Sequence, residues 1–520
     1  MFPRIFVVLA SLAASVAPAK MKPNIILVLV DDQDVHMESL KHMPLLKKQM
    51  ADQGTLHTSH YCTTAICCPA RVSILTGRLS HNTNVTDVVA PYGKSFPTKS
   101  QVFLNDNGNN YLPVWLQEAG YNTYYSGKLL NAHTVENYDK PHAAGWTSSD
   151  FLLDPFTYSY YNATWQKDQD APVSRAGTYN TDNLSDKTIN YIREAHAAGK
   201  PFFMGSAPIA PHSEVIVQPD TYNATISPTD PSIQPLILPQ KPAKRHANMF
   251  RDLKVPRTPN FNPQERQWLR LPPGKQCGFE EDINVPLLIR GPGVPKGVVS
   301  DAMTSHTDLA PSIFRMAGIK PRPEFDGLAV PLTDDELERV TQSRAEHVGI
   351  EFWGLAADEG MDSVILSDLN TYKGLRLHSK DYNLYYAVHC TNEHELYDMA
   401  VDPYQINNLL PSSRNSTGMP IASYADSNVK INKKPLLSIV SRLDALMMVM
   451  ESCKGETCIK PWTILHPYGD VNSLKDALNN KYDSFYLQAA EKNSVSFGMC
   501  MPGYVVTAEG PQDPSTYQGY

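Results

Sequence analysis

The chain has 520 residues, 46 Lys and Arg against 54 Asp and Glu, a formal net charge of -8, 42% hydrophobic and 19% charged residues. That length exceeds what one compact core usually holds, so a large domain with a smaller companion is expected and a single small binding module is excluded. A net negative chain whose cations look scattered offers no basic field for nucleic acid, and its apolar content excludes wholesale disorder.

Residues 1–19 combine Arg4, an apolar run from Ile5 to Ala14 and the small residues Ala17-Pro18-Ala19, the make-up of a cleaved secretory signal peptide. Spanning a bilayer takes about 20 apolar residues, and neither this run nor any later segment reaches that length. A protein of the secretory lumen or the cell exterior, with no membrane span, is therefore expected. Five Asn-x-Ser/Thr triplets, at Asn84, Asn162, Asn183, Asn223 and Asn415, are compatible with glycosylation there. Eight cysteines are too few for a disulfide-held scaffold of this length. Cys453 and Cys458 are the best local pair, whereas the neighbours Cys67 and Cys68 rarely bridge each other, so one of them has another use.

In chain order, Ile25 to Val30 reads as a strand buried on both faces of a parallel sheet, ending abruptly in Asp31-Asp32. Pro44 to Ala51 and Leu112 to Ala119 have helical spacing, while Tyr121 to Tyr125 and Phe202 to Gly205 read as short strands. Val285 to Gly291 is a further buried strand, and Thr307 to Met316 a helix closing the large domain. This alternation predicts an α/β fold, a large and mostly parallel sheet between helices. From about Glu346 short strands follow, Ser363 to Leu366, Thr371 to Leu377, Tyr382 to Val388 and Glu395 to Tyr397, and then a helix from Lys434 to Glu451. They predict a small antiparallel sheet with a helix across it. The expected division is a large domain over 20–345, a small α+β subdomain over 346–452 and an extension over 453–520. Glu214 to Arg270 is rich in proline and has almost no strand pattern, which is long for a loop inside a compact domain.

In open parallel sheets ligands sit beyond the carboxyl ends of the strands, and Asp31-Asp32 falls at such an end. Two carboxylates there can hold a hard divalent cation, although capping aspartates at a strand end are the commoner outcome. The more informative segment is Cys67-Cys68-Pro69-Ala70-Arg71. Pro69 suits the first turn of a helix, which sets Cys67 at the positive helix end, with Arg71 as a fixed cation one turn along.

Cys-x-Pro-x-Arg followed by Leu75-Thr76-Gly77 resembles the signature of type I, formylglycine-dependent sulfatases. The resemblance continues in Pro23 to Asp32, in Ser126-Gly127-Lys128, in Ala207-Pro208 to His212, in Gly274-Lys275, and in Val285-Pro286-Leu287 with Arg290 to Gly293. It ends with Glu395 to Asp398 and Asp402 to Gln405, so that it covers roughly residues 22 to 450. Gly127-Lys128-Leu129-Leu130-Asn131 looks closest to the N-acetylglucosamine-6-sulfatase branch and to fungal-type arylsulfatases. Many sulfatases carry a histidine where this chain has Leu130.

The resemblance implies an alkaline-phosphatase-like fold and a secreted hydrolase of aryl or sugar sulfates. It implies that Cys67 is oxidised to formylglycine by a formylglycine-generating enzyme, and that the hydrated aldehyde attacks sulfur. Arg71 and one calcium ion, held by Asp31, Asp32 and the modified Cys67, would favour deprotonation of that nucleophile. Lys128, His212 and Lys275 would hold the sulfuryl oxygens, where charge shifts as the ester breaks.

In this family a strand ending in Asp-Asn or Asp-His, shortly before the second lysine, completes the metal site. Between His212 and Lys275 this chain has only Asp220, Asp230 and Asp252, none followed by Asn or His and none ending an apolar run. A segment is therefore expected to be missing near residues 268–271. Two readings follow: a sulfatase whose activity in this form is in doubt, and a catalytically dead sulfatase-like glycoprotein that binds sulfated ligands. A phosphoesterase of the related metal-dependent superfamily is disfavoured, since those enzymes use Ser, Thr or unmodified Cys outside this motif.

Overall fold

Short apolar and aromatic runs build the strands, and the computed structural model describes residues 22–88, 110–216, 236–261, 274–340, 346–354, 356–357, 365–367, 369–410, 412–414, 420–422, 430–431, 433–492 and 494–512. The expected signal peptide, the junction at 268–271, Asn223 and Asn415 lie outside the described residues. The large domain contains β1 (Ile25–Val28), α1 (Pro44–Gln49), β2 (Thr55–His57), α2 (Cys67–Thr76), α3 (Leu112–Glu118), β3 (Asn122–Gly127) and β4 (Ser148–Leu152). It continues with β5 (Thr164–Lys167), β6 (Val173–Ser174), α4 (Asn180–Ala198), β7 (Phe202–Ala207), β8 (Leu287–Ile289), β9 (Val298–Ser300) and α5 (Leu309–Ala317).

The main sheet has six strands in the order β1-β7-β3-β4-β5-β6. Its first four are mutually parallel and the last two run antiparallel. Parallel neighbours need long crossovers, and the helices that supply them cover both faces. On one face α4 lays Tyr191 and Ala195 on Tyr124, Phe202 and Met204. On the other, Val72 of α2, Trp115 and Leu116 of α3 and Phe314 of α5 pack on Tyr125, Phe151 and Phe203. The fold is the expected α/β sandwich.

Two strands depart from expectation. β1 is an outer strand rather than one buried on both faces, and Ile26 and Val28 are 50% and 59% exposed. β8 is likewise the outer strand of a separate three-stranded sheet, β8-β2-β9. Leu27 and Leu29 at β1, with Leu287 and Ile289 of β8, meet around the buried Ile74, Leu309 and Val330. Two sheet edges thus face one apolar cluster, and among the described residues no strand lies between them. An apolar run that codes for double-sided burial is left half exposed when its neighbour is absent.

The second layer is the sheet of β10 (His347–Phe352), β11 (Tyr372–His378), β12 (Asn383–His389) and β13 (His394–Asp398), antiparallel throughout, with α6 (Leu436–Met450) packed on it. The helix starts later than its spacing implies, because Lys434–Pro435 pairs with Lys430–Ile431 and Pro435 takes the N-cap position. Of the strand expected over Ser363 to Leu366, the described part is Ile365–Ser367, paired with Ala356–Ala357. The extension folds back on this unit: Trp353 Nε1 donates to Glu509 at 2.7 Å, and Cys390 bridges Cys500, 110 residues away. Cys453 and Cys458 form the local bridge that their spacing predicts. Asn84 and Asn162 are exposed, while Asn183 lies inside α4 with its amide donating to Thr178 Oγ1 at 2.9 Å. No helix among the described residues is long and apolar enough to cross a membrane.

Candidate functional site

Five chain segments deliver charged side chains to the carboxyl end of the main sheet. Asp31 and Asp32 follow β1, and Asp32 is held at φ 59, a left-handed conformation that Asp tolerates better than most residues. Cys67 opens α2, whose preceding residue Ile66 is extended and whose end is Gly77 at φ 69. A side chain at Gly77 would meet the Phe325 ring at 2.7 Å, so the Leu-Thr-Gly of the motif is a helix stop fitted against the core. Cys68 is fully buried in the core under the sheet.

Gly127 ends β3 at φ 112, and a Cβ there would fall 2.1 Å from the Ala207 carbonyl. Only glycine permits that approach, which lets Lys128 N donate to Ala207 O at 3.0 Å while its side chain turns inward. His212 follows β7, and Lys275 sits in the turn before β8 at φ 85, followed by Gln276 at φ 68.

Asp31 is the hub. Its Oδ1 accepts from Arg71 Nη2 at 2.9 Å and its Oδ2 from Lys128 Nζ at 2.7 Å. Arg71 Nη1 also donates to the Lys128 carbonyl at 2.6 Å, and the Tyr125 hydroxyl to the same oxygen at 2.7 Å. Lys275 Nζ lies 3.1 Å from Asp32 Oδ2, 3.1 Å from His212 Nε2 and 3.8 Å from Cys67 Sγ. His212 Nδ1 faces the Ser213 carbonyl at 2.8 Å and so carries a proton, leaving Nε2 towards Cys67 and Lys275.

The electrostatics favour an anion. Burial alone would raise the Asp31 carboxyl, and Lys128 and Arg71 outweigh it, so Asp31 is held far below the usual carboxylate range. Burial would likewise raise the Cys67 thiol, but Lys128 and Lys275 bring it down. Burial and Lys275 push the His212 imidazole towards neutrality, and its bond to Cys67 with the charges of Asp32 and Asp31 outweighs them, so its net shift is upward. Three fixed cations, Arg71, Lys128 and Lys275, stand against two carboxylates.

Two side chains here carry no signal in the sequence. Tyr158 lays its ring 4.3 Å from His212 and 4.6 Å from Lys128 Nζ, and its hydroxyl accepts from Asn131 Nδ2 at 2.8 Å. Leu130, at the position where many sulfatases carry histidine, is buried in the core instead. Asp282 accepts from Gly274 N at 2.6 Å and Cys277 N at 3.2 Å, clamping the turn that carries Lys275. Burial pushes its carboxyl up to about 8 against those bonds. One tyrosine among 26 and an aspartate behind two glutamates cannot be singled out without the fold.

An α/β sandwich with a cationic pocket around a helix-start cysteine defines an anion-directed site, and comparison with known proteins gives the class. Residues 23–252 match the sulfatase family, and residues 274–419 match the family described as N-sulphoglucosamine sulphohydrolase, C-terminal. The arylsulfatase of Volvox carteri is 30% identical over an alignment spanning 94% of this chain and 83% of its own. The N-acetylglucosamine-6-sulfatase of Capra hircus is 25% identical, spanning 86% of each chain. Among solved structures, BT4656 in complex with its substrate D-glucosamine-2-N,6-O-disulfate shares the fold, with a TM-score of 0.53 at 19% identity over 75% of this chain and 93% of its own. The chain belongs to the sulfatase family, hydrolases of sulfuric esters. The Volvox alignment runs over 578 positions, more than the 520 residues available, so that relative carries residues with no counterpart here.

Proposed function

We propose that this protein is a secreted glycoprotein that hydrolyses aryl or sugar sulfates with Cys67, converted to formylglycine by a generating enzyme, as its reacting group. The observation that carries this reading is the convergence of Lys275 Nζ, 3.8 Å from Cys67 Sγ, with Asp31 and His212, whose donor atoms lie within 4.8 Å of one another and of that sulfur. Formylglycine, when formed, supplies as its hydrate a hydroxyl nucleophile that cysteine itself lacks. Lys128, His212 and Lys275 neutralise the sulfuryl oxygens, a favourable arrangement where charge redistributes in the transition state. Arg71 and Lys128 keep Asp31 ionised, and Asp282 and the glycine turn at Gly127 hold the two lysines in place.

Asp31 and Asp32 are the proposed calcium ligands beside the modified Cys67, and the fit is incomplete. Calcium takes about six to eight oxygens. Asp31 already commits both its oxygens to Arg71 and Lys128, Asp32 faces Lys275, and the surrounding fixed charge is positive. No step is therefore assigned to the ion. The open edge of β1, beside the aspartates, favours a second reading in which this form binds sulfated ligands without turning them over. Peptide mass spectrometry at Cys67, paired with sulfate release from a chromogenic phenyl sulfate, separates the two. An unmodified thiol throughout, from a host competent for the modification, would remove the formylglycine assignment. Modification without sulfate release would leave the binding reading.

A further inference from the structure

The cations of this chain are not evenly scattered. Residues 241–261 hold Lys241, Lys244, Arg245, Arg251, Lys254 and Arg257 against the single acid Asp252, in a chain whose net charge is -8. All six basic side chains are exposed, and exposed Met249, Phe250, Leu253, Val255 and Phe261 stand between them. Two cations fasten the strip: Arg245 makes a two-pronged bond to Asp182, both at 2.7 Å, and Lys241 pairs with Glu214. Among the described residues no carboxylate pairs with Lys244, Arg251 or Lys254. The Arg257 guanidinium lies 3.9 Å over the Phe261 ring.

Both ends of the strip are tied to segments that carry site residues. At the start, Tyr179 and Tyr161 hydroxyls donate to the carbonyls of Lys241 and Pro242 at 3.1 and 3.3 Å, and Tyr160, next to Tyr161, donates its hydroxyl to the His212 carbonyl at 2.8 Å. At the far end, Asn260 Nδ2 donates to Glu281 at 3.0 Å, and the next residue, Asp282, clamps the turn of Lys275. The strip therefore runs from the His212 side of the pocket to the Lys275 side.

We propose that Lys241 to Phe261 is a second anion-binding surface, which takes the flanking sulfates and sugar faces of a polymeric sulfated saccharide. The assignment rests on the sulfatase reading only for its direction: an ester held in the pocket has the rest of its chain at this rim. Exposed cations with no carboxylate partner attract repeated negative charge over a long range, and the exposed rings of Phe250 and Phe261, the latter covered on one face by Arg257, offer apolar surface to the C–H side of sugar rings. Met249, Phe250, Leu253 and Val255 are exposed close together along the strip, and clustered rather than singly scattered apolar side chains mark a recognition surface.

The test is binding of the intact protein to immobilised dextran sulfate across a range of salt, with unsulfated dextran as blank. Replacing Lys244→Gln, Arg251→Gln and Lys254→Gln together should weaken binding at low salt by at least about tenfold and take about one unit per cation off the slope of log affinity against log salt. The same net change made with Lys460→Gln, Lys475→Gln and Lys481→Gln, in the extension, should leave binding within about twofold. All six side chains are exposed or at carboxylates on the surface, and unchanged melting curves confirm folding. No binding by the parent protein, equal losses in both sets, or displacement by single-stranded DNA as readily as by dextran sulfate would overturn the proposal. Hydrolysis of a small aryl sulfate is read separately. Its absence would count against the sulfatase reading of the pocket and leave the assignment of the strip untouched.

Discussion

The two flanks of the main sheet are built from similar sequence and end in different states. On the closed flank, β7 lies between β1 and β3, and Phe203 and Met204 are fully buried. On the open flank, β1 carries an equally apolar run and leaves Ile26 and Val28 to solvent. Burial is thus a property of the neighbour as much as of the residue: an apolar strand stabilises the fold only when another strand and a helix cover it. The difference bears on function because Asp31 and Asp32 end the strand of the open flank, while Lys128 and His212 follow strands of the closed one.

The largest effects are expected at the chemical centre. Cys67→Ala should abolish sulfate release, whereas Cys68→Ala should cost stability and little turnover, since Cys68 lies in the core. Losing one preorganised contact to developing charge lowers turnover by about a hundred- to a thousandfold. Lys128→Ala and Lys275→Ala should therefore each fall in that range in an assay of initial rates, and near-normal rates in both would undo the assignments. A lesser effect from Lys275 than from Lys128 would fit a looser, open-flank side of the pocket.

Stability should separate the flanks next. Phe203→Ala removes a large side chain from a sealed core and should cost about 3–5 kcal/mol in denaturant unfolding. Val28→Ala, at a position 59% exposed, should cost below about 0.5 kcal/mol. A large loss at Val28 would mean that something covers that edge in solution.

Much of this was legible in the chain itself. The strand and helix alternation and the antiparallel C-terminal unit follow from periods of two and 3.6 residues, and Asp31, Asp32, Cys67, Arg71, Lys128, His212 and Lys275 stand out because each lies inside a recognisable motif near the end or start of an element. The exposure of β1 does not show in Ile25 to Val30 themselves, which read the same whether or not their neighbour exists; it was legible only as the gap that a missing Asp-Asn-ended strand would leave in the sheet. Nor was Cys390 with Cys500, a pair that only the fold brings together. Tyr158 and Asp282 were invisible for a similar reason: their role lies in what they touch. The strip over 241–261 was masked by whole-chain charge, which averages a local excess of cations into a net acidic total.

A smaller effect concerns pH and the C-terminal layer, whose sheet packs against α6. Burial pushes Asp444 up to about 7 and Glu346 up to about 7, each against a hydrogen bond from a tyrosine hydroxyl. Their folded pKa values exceed the unfolded ones, so the folded chain binds more protons. The stability they contribute is full below the unfolded carboxylate pKa and is lost as pH rises through about 7. Glu351 is opposite in sign: burial raises it, His81 and Lys373 outweigh that, and its contribution is lost only as pH falls below the ordinary carboxylate range. Melting temperature should therefore decline from mildly acidic to mildly basic pH. Asp444→Asn with Glu346→Gln should flatten that decline, and an unchanged slope would show that neither group titrates there.

The smallest expected response is to calcium, and its smallness is the informative part. A ligand stabilises a fold by RT ln(1 + [L]/Kd), about 2.7 kcal/mol at a hundredfold excess over Kd and almost nothing below Kd. Asp31 and Asp32 are committed to Arg71, Lys128 and Lys275, so an added cation must displace those bonds and gains only two carboxylates in return. Millimolar calcium should then move the melting temperature by less than about a degree. A version carrying an added helix and an Asp-Asn-ended strand between β1 and β8 should bury Ile26 and Val28 and respond by several degrees, with better secretion because a sheet edge is closed. Calorimetric melting of both forms with calcium and with a chelator decides the matter. Equal and strong responses in the two, with sulfate release from both, would show that ligands for the cation already exist within this chain and that its open edge has nothing to do with the metal.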